Sequence, residues 1–145
     1  MSQSLHMRVR DAVVALLLAT PAMAAGRVLP NRRVPLPAET TAQVLVYLED
    51  SVASHDVIGL TQWGTRIRIE CVARSTAGAT GEATADELAT EAHARIMAQP
   101  DLGGIAIDTE AQAMAWSEAE SDPTLSVVQQ IFTVMHASDD ASIAT

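Results

Sequence analysis

The sequence predicts an α+β domain: a single, mostly antiparallel sheet of about four strands with two helices packed on one face, in the order α-β-β-α-β-β. Three observations carry this prediction. Residues 62–74 alternate with a period of two, Trp63, Thr65, Ile67, Ile69, Cys71 and Ala73 on one side and Arg66, Arg68, Glu70, Val72 and Arg74 on the other. That is the pattern of a strand with one buried and one wet face. Apolar stripes at helical spacing occur at Leu5, Val9, Ala12, Val13, Leu16 and Leu17, and again at Leu88, Ala92 and Ile96. Two further runs of β-formers, residues 43–49 and 124–136, can pair with the central strand, whose odd-numbered side then faces the helices.

The totals bound the rest. A chain of 145 residues makes one domain, here 1–145. It is 48% hydrophobic but only 3% aromatic, so its core is built from Ala, Val, Ile, Leu and Met. Small side chains each bury little area, at about 25 cal/mol per Å², which predicts modest stability alone and dependence on partner subunits. The net charge of −9 and pI near 4.7 exclude wrapping of nucleic-acid phosphates as the main activity. The single cysteine, Cys71, leaves no intrachain disulfide. It lies on the apolar side of its strand and reads as a small core residue; a catalytic thiol would need an activating histidine, and none is near in sequence.

Taken in order, residues 1–25 form an amphipathic helix, with Ser2 or Ser4 as its cap and Pro21 as its stop. The same stretch imitates a secretory signal: Arg8 and Arg10, an apolar run, then an A-x-A-like ending, interrupted by Asp11. Residues 26–41 form an extended arm, since Pro30, Pro35 and Pro37 remove donors and hold their neighbours extended. Arg27, Arg32 and Arg33 make it an island of positive charge, a candidate for docking on an acidic neighbouring subunit. The strand at 43–49 leads through a loop at 51–60 into the central strand; His55 and Asp56 in that loop read as surface residues. Thr84-Ala85-Asp86-Glu87 fits a capping box for the second helix, which ends before Pro100. His93 has no second ligand at helical spacing, and His6, His55 and His136 are scattered, so no metal or other cofactor is expected. Residues 111–117 alternate small and large side chains, residues 118–123 are an acidic hairpin tip, and 124–136 form the last strand, with a break at Gln129-Gln130 that marks a bulge or a join between two pairing partners. Residues 137–145 read as a frayed tail.

No convergent catalytic set is visible: the acids fall in helix starts, loop tips and the tail, where solvation explains them. No enzymatic activity is therefore expected. The arrangement across residues 1–136 resembles the minor tail protein U family, the tail terminators of long-tailed bacteriophages. The likeness lies in the N-terminal helix, the Gly26-Arg27-Val28 and proline-rich arm, the strand Val44-Leu45-Val46-Tyr47-Leu48 and the Trp63-initiated strand. The helix from Asp86 to Met97 and the acidic hairpin entering Thr124–Phe132 complete it. Residues 77–84 are richer in Gly and Ala than that pattern, and the N-terminal helix is less polar.

The resemblance implies a non-enzymatic, homohexameric ring that caps the tail tube, ends its polymerisation and presents a joining surface to the head. Its partners would be copies of itself, the tail tube protein and a head-completion or connector protein, with DNA passing through unbound and no membrane contact. It would belong to the virion tail or neck, after assembly in the host cytoplasm. Net negative charge suits a bore that lets phosphates pass. Three arginines make the wet face of the central strand a poor bore, so Arg66, Arg68 and Arg74 join Arg27, Arg32 and Arg33 as candidate subunit-interface residues. Two alternatives stay open: an exported periplasmic binding or accessory protein with a cleaved signal, and another tail-completion or head–tail connector protein.

Overall fold

The computed structural model describes residues 3–119 and 122–144. A five-stranded sheet in the order β1-β2-β3-β5-β4 forms its spine. The strands are β1 (Val28–Leu29), β2 (Ala42–Val57), β3 (Leu60–Arg74), β4 (Asp108–Ala119) and β5 (Asp122–Asp139). Helices α1 (Leu5–Leu18) and α2 (Gly81–Ala98) cover one face. Every pairing is antiparallel except β1 with β2. The expected architecture holds, with one strand more than the sequence suggested. β1 is a short piece of the arm, Val28 beside Val44 and Leu29 beside Leu45. Pro30 follows it without an N–H, and the ladder ends there.

β3 is the middle strand, paired with β2 on one side and β5 on the other. Its odd residues Ile67, Ile69, Cys71 and Ala73 lie under the helices with Val44 and Val46 of β2 and Val128, Phe132 and Val134 of β5. α1 contributes Val9, Val13 and Leu17 to that core, as its stripe requires. The Ser4 hydroxyl caps α1 by accepting from the Met7 amide at 3.2 Å; Ser2, the other expected cap, lies outside the described residues.

The C-terminal end of α1 has no basic residue of its own in its last turn. Arg95 of α2 supplies the charge, donating to the carbonyls of Leu16 (3.1 Å), Leu17 (3.0 Å) and Ala19 (2.9 Å), and to that of Pro21. A guanidinium there satisfies carbonyls that the helix leaves unpaired and opposes its dipole. Arg95→Met should therefore cost about 2 kcal/mol, read as a lower urea midpoint at unchanged slope.

α2 starts earlier than expected. Thr80, not Thr84, is the cap, its hydroxyl accepting from the Ala83 amide at 3.2 Å. The reason is Gly81: a Cβ there would meet the Ala73 carbonyl oxygen at 2.7 Å, so only glycine lets the first turn lie on the end of β3. The buried stripe then runs Gly81, Ala85, Ala89, Ala92, Ile96, with Leu88 flanking it.

Three other differences have physical causes. Residues 51–57, expected as loop, extend β2 alongside β3, and the chain reverses only at Ile58-Gly59, where Gly59 takes φ 83. β5 pairs with β3 without a break, so Gln129-Gln130 is no bulge. Gln130 points inward like Val128 and Phe132 and donates to the Ala89 carbonyl at 2.9 Å, a buried polar group with its partner on α2. The register shifts fall in the pairing of β4 with β5 instead, between Ala111 and Ala113 and between Glu118 and Ala119. Finally, residues 137–144 are tied in rather than frayed. β5 runs on to Asp139, the Asp140 carboxylate accepts from Thr61 at 2.8 Å, and the Ile143 carbonyl accepts the Leu5 amide at 2.6 Å, one of the donors a helix start leaves unpaired.

Candidate assembly surface

No helix covers the second face of the sheet. At its centre the even residues of β3 meet charged and polar neighbours. Arg66 makes a two-pronged pair with Asp50, Arg68 lies 2.9 Å from Glu49 and donates to Gln129 at 2.8 Å, and Arg74 lies 3.7 Å from Asp122. Tyr47 donates to the Glu70 carboxylate, and burial together with that bond raises its phenol above the ordinary range. The Asp50 carboxyl is held below its usual range by Arg66. The face is thus wet, as expected, but its arginines are matched by carboxylates of the same chain. Exposed pairs such as Arg66–Asp50 are screened by water, so they fix side-chain positions more than they stabilise.

The arm crosses one side of this face. Arg27 donates to Gln43 at 2.9 Å, and Gln43 donates in turn to the Val34 carbonyl at 2.6 Å, buttoning the arm onto β2. Arg32 stacks over the Tyr47 ring at 4.6 Å and donates to the Leu48 carbonyl. Arg33 sits at φ 52, exposed, with no polar partner among the described residues. Of the six arginines singled out in the sequence, it alone has no polar partner among the described residues. All nine cations of the chain are arginines, whose planar fork suits this bonding to carbonyls and carboxylates better than an ammonium would. Between the arm and the tip of the β4–β5 hairpin lies an open groove of about 760 Å³, floored by Leu45, Glu70, Val72, Val127 and Gln129.

Sequence spacing missed one cluster. His6 of α1 and His136 of β5, scattered in the chain, stand 5.0 Å apart, with the Trp63 ring 4.7 Å from His6. His136 is fully buried, its Nε2 is 2.6 Å from the Thr65 hydroxyl, and Thr65 is 2.8 Å from that of Ser51. Burial, with His6 adding to it, lowers the His136 imidazole to about 4. A strand-alternation reading that placed His136 on the inner face would have found it, but His6 becomes its neighbour only through the packing of α1. Cys71 is buried and its thiol pushed up to about 12, so it is a protonated core side chain at neutral pH. His55 is exposed on β2 and His93 on α2. Among the described residues, no group of three His, Cys, Asp or Glu is placed to hold a metal, and no helix is long and apolar enough to cross a membrane.

The fold so defined is an α+β sheet with helices on one face and a charged, partly strapped second face. No protein-family model matches the chain, nor does any curated protein. Among solved structures, a chain of the "Virion of native gene transfer agent (GTA) particle" is similar, with a TM-score of 0.56 and 13% identity, over 93% of this chain and 92% of that one. At that identity the likeness is one of fold.

Proposed function

We propose that this chain is a structural protein of a virion and, within that class, a tail terminator: a ring at the end of the tail tube that stops its growth and joins it to the head. The observation that carries the reading is the shared fold with a virion chain across nearly the full length of both. The phage tail terminator pattern of the sequence points the same way from independent grounds. One surface of the ring meets the last turn of the tube, the other a head connector, and the role needs no catalysis. With a net charge of −9, a bore lined by this chain passes DNA without holding it.

The test is to add the purified chain to tail tube protein while it polymerises. Tubes should stop lengthening, with gold-labelled chain at one end only. Label spread along the tubes, or tubes that lengthen unchanged, would refute the terminator. Label at one end without arrest of growth would favour a head–tail connector instead.

A further inference from the structure

Charge is segregated along this sheet. Residues 1–41, which supply α1, β1 and the arm, carry five arginines against Asp11 and Glu39. Residues 96–145, which supply β4 and β5, carry eight acidic residues and no cation. The strand order puts these two segments at opposite edges. On one edge β1 spans only Val28–Leu29, and the arm that follows it carries Arg32, fixed over Tyr47, and Arg33, exposed on the second face with no polar partner among the described residues. On the other, β4 has no strand outside it among the described residues. It is exposed on both faces along most of its twelve residues, with Asp108, Glu110 and Glu118 in water. Trp116 is 53% and Met114 41% exposed beside them.

Charges on an edge strand ordinarily keep other strands away. Here the matching charges sit on the far edge of the same chain, and an exposed tryptophan next to the acids is the kind of side chain on which interfaces anchor. We propose that the acidic β4 edge of one copy docks on the arginine-bearing arm of the next, head to tail. Two different patches meet, so the contact is heterologous; repeated, it closes into a ring where the rotation permits. Pro30, Pro35 and Pro37 deny the arm a continuous ladder, so side chains make the contact, Arg33 towards Glu110. The place of such a ring in a virion rests on the tail-terminator reading; the contact itself rests on charge and edge geometry.

The experiment uses two full-length variants, Arg33→Glu and Glu110→Arg, each checked for native circular dichroism, with sedimentation velocity as the readout. Each alone should self-associate at least about tenfold more weakly than the parent. Mixed in equal amounts they should recover association, because in an alternating ring one contact sets the acidic arm against the basic edge and the next sets the native Arg33 arm against the native Glu110 edge. Association of the parent should also weaken towards 1 M salt, where charges are screened beyond about 3 Å. Trp116→Ala should weaken assembly without changing the salt dependence. A parent that stays monomeric at every concentration, a single variant that associates like the parent, or a mixture no better than its components would overturn the proposal. Tube capping by the parent with a failed swap would remove this contact and keep the terminator; a successful swap without capping would do the reverse.

Discussion

Phe132→Ala should destabilise the fold by about 3–5 kcal/mol. This is the only phenylalanine in a chain that is 3% aromatic, it is 2% exposed, and it sits in the middle of β5 opposite Ile67. The helix above it buries Ala85, Ala89 and Ala92, side chains too short to swing into the space left behind. Cavities that cannot collapse give the upper part of the usual range. Against a total stability of about 5–15 kcal/mol, the loss removes much of what holds a single subunit together. Equilibrium urea unfolding measures it, with Phe132→Leu as the control that should cost less than about 1.5 kcal/mol. Equal effects of the two substitutions would mean that the ring does not fill the core as described.

The second large effect is acid destabilisation through His136. Its folded imidazole lies at about 4, below the ordinary 6.5, because burial disfavours the cation and His6 stands beside it. Above 6.5 both folded and unfolded chains hold it neutral, and it costs nothing. As pH falls from 6.5 towards 4, the unfolded chain takes up a proton that the folded chain refuses, so stability is lost across that window and the loss levels off below it. The full shift corresponds to about 3 kcal/mol, and screening by nearby solvent reduces it to about 2 kcal/mol. His6 is displaced in the same direction by burial and adds to the slope. Urea midpoints between pH 7.5 and 4.5 read the effect, and His136→Gln should flatten the profile. A slope unchanged by that substitution would assign the acid sensitivity to other groups.

What was legible in the sequence is what repeats locally. The alternation of β3 fixed its two faces, and the stripe of α1 named Val9, Val13 and Leu17 as core. The misread elements depend on partners distant in the chain. Gln130 looked like a break because its acceptor, the Ala89 carbonyl, lies on another element. The tail looked free because what holds it are the start of α1 and Thr61. β1 is too short for any periodicity and exists only because β2 offers an edge. The candidate surface divided in the same way. The wet face was visible in alternation, but that Arg66, Arg68 and Arg74 are matched by Asp50, Glu49 and Asp122 requires the fold. The acidic β4 edge was hidden because those acids, read one by one, are ordinary solvated residues.

The proposed contact between β4 and the arm, repeated head to tail, closes copies of this chain into a ring. Native mass spectrometry of the purified chain over a range of concentrations tests it most directly. A closed ring gives one dominant oligomer, with no open-ended ladder of larger species. A chain that remains monomeric throughout, or one that stops at a two-fold dimer, would contradict it.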